Sequence, residues 1–140
     1  MAVLEVNASM GTIVAAPTAG SSGVVPGVLF ALQEERGLSE AELEKGLLCA
    51  GAVGCLLMLN SSVSGAEAGC QAEIGSASAM AAAAAVELMG GSPKMCLEAA
   101  SLALSNLLGL VCDPIAGLVE SPCQSRNAMG AANALTCAEL

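Results

Sequence analysis

The sequence predicts an all-α fold, a compact bundle of about five small-residue-rich helices with glycine- and proline-rich connecting loops. Three observations predict it. Of the 140 residues, 55% are hydrophobic but only 1% are aromatic, so small aliphatic side chains must build the core and helices can pack at short range. No strand-length segment alternates convincingly between apolar and polar residues. Serine capping signals precede two apolar segments.

The first half of the chain contains the signals for two helices. The segment 20–36 is predicted to be a glycine-rich turn followed by a short helix that ends at Gly37. Ser39 and Glu42 form a capping-box pattern, which predicts that a second helix begins there and runs through the apolar stretch that stops at Asn60. Residues 12–16 and 110–112 are the candidates for short extended pieces.

Three further helices are predicted in the second half. The alanine-rich segment 71–89 ends at Gly90-Gly91, and Ser92-Pro93 begins a helix that stops near Gly109. Pro114 and Pro122 predict a non-helical connection between Cys112 and Cys123, before a last helix over about 124–139. At this length one compact domain, residues 1–140, is expected.

Charge and hydropathy exclude two classes of partner. The net charge of −9 repels phosphate backbones, so no nucleic acid is expected. Within the uncharged stretch 46–66, the continuous apolar part 47–59 stops at Asn60 and is shorter than the roughly 20 apolar residues of a bilayer span. With no signal-peptide pattern at the start, the sequence predicts a cytoplasmic protein without a membrane partner.

The seven cysteines are expected to be reduced in that compartment. Four of them lie in apolar helical segments and are predicted to be core residues: Cys49, Cys55, Cys96 and Cys137. The other three lie at predicted helix boundaries, where free amides can stabilise a thiolate: Cys70, Cys112 and Cys123. Their spacing alone leaves core packing or a metal site open, and without histidine zinc is the poorer match.

Polar residues near these cysteines are candidates for substrate chemistry. Residues 16–23 place hydroxyl groups and glycines at a helix start, which either presents amides to a carboxylate or is a well-capped turn. Glu67 and Glu73 flank Cys70 and are candidates for proton transfer, although the base is unassigned. Arg126 and Asn127 follow Cys123 and are candidates for binding a substrate carboxylate.

Three blocks, at 16–29 (APTAGSSGVVPGVL), 64–84 (SGAEAGCQAEIGSASAMAAAA) and 112–128 (CDPIAGLVESPCQSRNA), resemble the alpha portion of iron-sulfur-dependent L-serine dehydratases. The resemblance implies a [4Fe-4S] cluster held by Cys70, Cys112 and Cys123, with one iron left for the serine hydroxyl. It also implies β-elimination of L-serine to pyruvate and ammonia without pyridoxal phosphate. By the same resemblance, the substrate-binding residues are Thr18, Gly20, Ser21, Ser22, Arg126 and Asn127.

The resemblance also concerns partners. Such enzymes carry a beta domain or subunit that this sequence lacks, so we expect a part of a larger, homo-oligomeric enzyme that is inactive on its own. Two alternatives stay open at this point. A cysteine desulfidase-like iron-sulfur lyase is also similar through residues 73–84, and a non-catalytic helical module would use all of its cysteines as core residues.

Overall fold

A computed structural model describes residues 1–117 and 120–140 and confirms the all-α class. These described residues form six helices, one more than expected: α1 (Ala2–Ala8), α2 (Val24–Arg36), α3 (Glu40–Asn60), α4 (Gly65–Leu88), α5 (Pro93–Ser105) and α6 (Glu120–Glu139). The additional helix is α1, which has no side-chain cap and carries no boundary signal in the sequence.

Helix α4 is the centre of the bundle. Every residue from Ile74 to Val86 is buried, because α2, α3, α5 and α6 all pack around it. Small residues permit this close packing: a Cβ added at Gly54 of α3 would lie 2.9 Å from Met80, and one at Gly130 of α6 would lie 2.8 Å from Ile74. The alanine-rich sequence of α4 therefore marks a helix that is surrounded on all sides.

The capping signals are confirmed. Gly37 adopts a left-handed conformation, with φ of 66°, at the end of α2. Ser39 and Glu42 form the capping box at the start of α3. Ser92 caps α5 through the backbone N–H of Met95. These local hydrogen bonds place the helix ends where the sequence predicted them.

Three boundary predictions are wrong. Helix α5 ends at Ser105 rather than near Gly109. Helix α6 begins at Glu120 rather than near Gln124, because Pro122 lies in the first turn, where no intrahelical N–H bond is required. Helix α4 begins at Gly65 and is interrupted at Gly69, whereas the sequence predicted a start at Gln71. Residues 12–16 and 110–112 form no strand. Leu118 and Val119, within the connection predicted to be non-helical, lie outside the described residues.

The prediction that four cysteines are core residues needs correction. Cys96 and Cys137 are buried, but Cys49 is only half-buried and Cys55 is exposed. Small-residue packing explains the difference, since α3 contacts α4 along a narrow strip that includes Gly46, Ala50 and Gly54. Within the described chain, no helix is both long and apolar enough to cross a membrane.

Candidate functional site

The candidate site begins at the interruption in α4. Gly69 has φ of 72° and ψ of −173°, a conformation that is essentially restricted to glycine. It frees the N–H of Gln71 to donate to the Leu110 carbonyl at 2.6 Å. A Cβ at Gly69 would lie 3.2 Å from the backbone nitrogen of Cys112. The interruption thus lets the loop that carries Cys112 pack directly beside Cys70.

Two of the three predicted cluster ligands meet at this point. Cys70 and Cys123 are 1% and 4% exposed, and their sulfurs lie within 4.8 Å of one another and of a Glu73 carboxylate oxygen. Cys112 is exposed on the neighbouring loop and is not a member of this group. The structure therefore joins Cys70 and Cys123 and leaves Cys112 beside them.

Arg126 brings a positive charge to the sulfur atoms. Its Nη1 donates to Cys70 Sγ at 3.0 Å and to the Val111 carbonyl at 2.7 Å. The second bond attaches the Cys112 loop to α6. A guanidinium at this distance would also favour an anionic cluster held by these sulfurs.

The environment of Cys123 favours the protonated thiol. Burial raises the pKa of this thiol to about 11, and the negative charges of Cys70, Glu73 and Cys112 add to the shift. Without a cation, the thiol is protonated at neutral pH. A group of this kind becomes a thiolate when a metal or a metal cluster replaces the proton.

The hydroxyl- and glycine-rich loop reaches the same site through Thr18. Its Oγ1 donates to Glu73 Oε1 at 2.5 Å. A Cβ at Gly20 would lie 2.6 Å from Glu73 Oε1, and one at Gly65 would lie 2.8 Å from Oε2. Two glycines are therefore needed for the Glu73 carboxylate to fit between the loop and α4.

The loop serines are engaged locally. Ser21 and Ser22 are almost fully buried. Ser22 Oγ donates to the Ala19 carbonyl at 2.7 Å, and the Ser21 and Thr18 hydroxyls lie 2.9 Å apart. These bonds hold the shape of the turn, and direct contact of Ser21 or Ser22 with a substrate stays a prediction.

Asn127 connects the loop to α6. Its side chain is fully buried. Nδ2 donates to the Gly20 carbonyl at 2.7 Å and to the Cys123 carbonyl at 2.8 Å, and Oδ1 accepts from the Gly23 N–H at 3.0 Å. Both amide hydrogens are thus used within the protein, so Asn127 positions the loop, and its contact with substrate stays a prediction.

A cavity of about 230 Å³ opens where these elements meet. It is lined by Leu4, Asn7, Ala8, Gly20, Glu73, Cys123 and Gln124. It is smaller than the roughly 300–1,000 Å³ pockets of drug-sized ligands, so it suits a small metabolite. Sequence reasoning missed Leu4, Asn7 and Gln124, since no motif distinguishes them and α1 itself was not predicted.

The two acidic candidates for proton transfer occupy different environments in the structure. Glu73 lines the cavity, whereas Glu67 is exposed and accepts a hydrogen bond from Ser62 Oγ. Their positions in α4 differ because the interruption at Gly69 turns the first residues of the helix away from the rest. Glu73 is the carboxylate that the structure places at the candidate site.

Comparisons with known proteins relate this chain to serine dehydratases. Residues 1–140 match the family model described as serine dehydratase alpha chain. A probable L-serine dehydratase alpha chain of Bacillus subtilis is 57% identical over 140 residues, which cover all of this chain and 47% of that protein. A probable L-serine dehydratase alpha chain of Latilactobacillus sakei is 53% identical over 140 residues, covering all of this chain and 67% of that protein.

The L-serine dehydratase alpha chain of Peptoniphilus asaccharolyticus is 54% identical over 136 residues, which cover 97% of this chain and 47% of that protein. The chain therefore spans about half the length of two of these three relatives. The match to the family model covers the whole chain, including Cys70, Cys123, Glu73 and Arg126. On this evidence, the chain belongs to the serine dehydratase alpha chain family.

Proposed function

We propose that this chain is the alpha portion of an iron-sulfur-dependent L-serine dehydratase, which converts L-serine to pyruvate and ammonia. One observation carries the proposal: the sulfurs of Cys70 and Cys123 and the carboxylate of Glu73 meet within 4.8 Å beside a cavity of about 230 Å³. The relatives named L-serine dehydratase support the choice of substrate.

The donor set fits an iron-sulfur cluster. Cys70, Cys112 and Cys123 would hold it, since iron-sulfur clusters are held by cysteine thiolates. A cubane is wider than a single metal ion, so a third ligand on the adjacent Cys112 loop is compatible with it. When bound through three thiolates, the cluster supplies an iron that can act as a Lewis acid toward the substrate hydroxyl.

The remaining residues bind and orient the substrate. An arginine carries five N–H donors, and we assign those of Arg126 that do not contact Cys70 or Val111 to the substrate carboxylate. The loop of Thr18 and Gly20 closes the same side of the cavity. We assign to Glu73 the acceptance of a proton, because its carboxylate lines the cavity.

We also propose that activity requires a further domain or subunit. The matched region covers 47% of the Bacillus subtilis relative and 31% of an Escherichia coli L-serine dehydratase. The rest of such proteins would complete the site around α1 and the cavity. We expect the complete enzyme to form a homo-oligomer.

Anaerobic reconstitution with iron and sulfide tests the cluster. We expect a broad visible absorption band in the wild-type protein, which Cys70→Ser, Cys112→Ser and Cys123→Ser each abolish. Cys55→Ser is the matched control, because Cys55 is exposed on α3 and lies outside the group formed by Cys70, Glu73 and Cys123. A band that survives in all three variants would contradict the ligand assignment.

An activity assay tests the substrate and the role of Glu73. With the remaining part of the enzyme added under anaerobic conditions, the cluster-loaded protein should form pyruvate from L-serine. Glu73→Gln should lower the rate by about 100-fold or more and leave the visible band intact. Release of sulfide from L-cysteine without pyruvate from L-serine would overturn the proposal in favour of a desulfidase.

A further inference from the structure

A second group of metal-binding side chains lies outside the candidate site. Cys49 of α3, Glu87 of α4 and Cys96 of α5 each place one ligand atom within 4.8 Å of the other two. None of the three belongs to the group formed by Cys70, Glu73 and Cys123. Three different helices thus bring two thiols and a carboxylate to one point.

The surroundings make this point accessible from solvent. A cavity of about 460 Å³ contains all three residues, together with Lys45 and apolar side chains such as Leu48 and Leu97. Cys96 forms its floor at 3% exposure, while Cys49 and Glu87 are half-buried. An ion can therefore enter from the groove and meet ligands whose other faces are covered by protein.

Few groups of the protein compete with a metal for the side chains of Cys49 and Glu87. Cys49 Sγ donates to the Ala83 carbonyl at 3.6 Å and also lies within hydrogen-bonding reach of the Cys96 thiol. Over the described part of the chain, no hydrogen bond or salt bridge engages the Glu87 carboxylate. A carboxylate beside two thiols brings negative charge to the groups that would become thiolates, which is unfavourable unless a cation joins them.

We infer that Cys49, Glu87 and Cys96 form a second metal site, which binds a thiophilic divalent cation such as Zn²⁺. The two thiol protons pass to solvent on binding, and two thiolates plus a carboxylate complete three positions of a tetrahedron. The fourth position faces the groove and takes water. Calcium and magnesium require oxygen ligands, and an iron-sulfur cluster is usually held by more than two cysteines, so neither class fits.

A titration of the reduced, metal-free protein with Co²⁺ tests the inference. Cobalt bound by thiolates absorbs in the near ultraviolet. To remove any signal from the other cysteine pair, the titration uses Cys70→Ser/Cys123→Ser, which should still bind one equivalent of Co²⁺ with this absorption. Addition of Zn²⁺ should displace the cobalt.

Variants in that background identify the ligands. Cys49→Ser should weaken Co²⁺ binding by about 100-fold or more, since loss even of an outer-shell partner costs about 10–100-fold. Glu87→Gln should weaken it about tenfold, and Cys55→Ser, on the same helix as Cys49, should leave it unchanged. Loss of the absorption in the parent double variant, or its survival in Cys49→Ser, overturns the inference.

A second measurement needs no variant. Zn²⁺ should slow alkylation of Cys49 in the wild-type protein, followed by peptide mass spectrometry, and should leave the exposed Cys55 unprotected. Equal labelling of Cys49 with and without Zn²⁺ would overturn the inference. A protein that binds no Co²⁺ when reduced, and that forms a Cys49–Cys96 disulfide on exposure to air, would also overturn it.

Discussion

Single buried side chains hold the candidate site together. The Asn127 amide links the Gly20 turn, the start of α2 and the first turn of α6 through three hydrogen bonds. None of the buried side-chain polar atoms in the described residues lacks a partner, so the removal of one partner leaves another group unsatisfied. A buried polar group that loses its hydrogen-bond partner lowers the stability of the folded protein more than a surface group does.

We expect Asn127→Ala to lower the free energy of unfolding by about 2–4 kcal/mol, because it leaves a cavity and unpaired backbone groups. Asn127→Asp should be at least as harmful, since it places an acceptor against two carbonyls. Urea denaturation measures both. Asn60→Ala, which removes an exposed side chain bonded to the Leu56 carbonyl, is the control and should change stability by less than about 0.5 kcal/mol.

The variant Gly20→Ala tests whether the position of the Glu73 carboxylate matters for activity. In Gly20→Ala the new Cβ would lie 2.6 Å from Glu73 Oε1, and the flexible end of the glutamate can move away at little cost. We therefore expect stability to fall by less than about 1 kcal/mol, while the pyruvate-forming rate of the reconstituted enzyme falls by about tenfold or more.

The control for this change is Gly27→Ala on α2. No atom lies within 4 Å of a Cβ at Gly27, so alanine should stabilise the helix by about 0.5–1 kcal/mol and leave the rate unchanged. Equal rates for Gly20→Ala and the wild type would show that the Glu73 carboxylate does not need this position.

At the level of elements, the interruption at Gly69 divides α4 into two parts with different structural roles. Its long C-terminal part forms the centre of the bundle, and its N-terminal turn carries Glu67 away from the cavity. Gly69 adopts a positive φ between the two parts and lies against the backbone of the Cys112 loop. One helix can have both roles because glycine, which has no Cβ, adopts this conformation with little strain.

Gly69→Ala should therefore destabilise the protein more than alanine at another glycine of positive φ. Gly90, with φ of 82° and no atom within 4 Å of an added Cβ, is the matched control. We expect Gly90→Ala to cost about 1–2 kcal/mol from backbone strain alone. Gly69→Ala should cost about 3 kcal/mol and reduce iron incorporation, because the Cys112 loop must shift. Equal costs in urea denaturation would show that the loop contact contributes nothing.

For the molecule as a whole, buried thiols make stability depend on pH. Burial raises the pKa of Cys137 above its ordinary value of 9.0, although a hydrogen bond from Asn106 opposes the shift. Burial also raises the pKa of Cys96, of Cys123 to about 11 and of Cys49 to about 12. Each of these thiols is more readily deprotonated in the unfolded chain than in the folded one.

The metal-free protein should accordingly lose stability in alkali. Below the ordinary thiol pKa, both states keep their protons and these groups add no pH dependence. Above it, the unfolded chain releases protons that the folded chain retains, so the free energy of unfolding falls by up to about 1.4 kcal/mol per pH unit for each thiol. The fall continues until the folded pKa is reached.

Urea denaturation at pH of about 8 and about 10 measures this slope. Cys137→Ser keeps an acceptor for Asn106 Nδ2, which lies 3.3 Å from the sulfur, and should reduce the slope, because serine does not titrate. A slope that is the same in Cys137→Ser and the wild type would contradict the role of this thiol.

The sequence by itself determined the features that depend on neighbouring residues. Caps at Ser39, Gly37 and Ser92 and the alanine-rich character of α4 act over one or two turns, so five of the six helices and several helix ends could be read from it. The resemblance of three blocks to one family also identified Cys70 and Cys123, which the structure brings together.

Only the tertiary structure decided which side chains meet. Glu73 rather than Glu67 lines the cavity, Arg126 contacts Cys70, and Cys49 and Cys96 converge with Glu87 from three different helices. Short-range patterns record the period of a helix but not the direction in which neighbouring helices approach it. When a core consists of small side chains, that approach is set by backbone contacts at glycine and alanine, and no local signal encodes it.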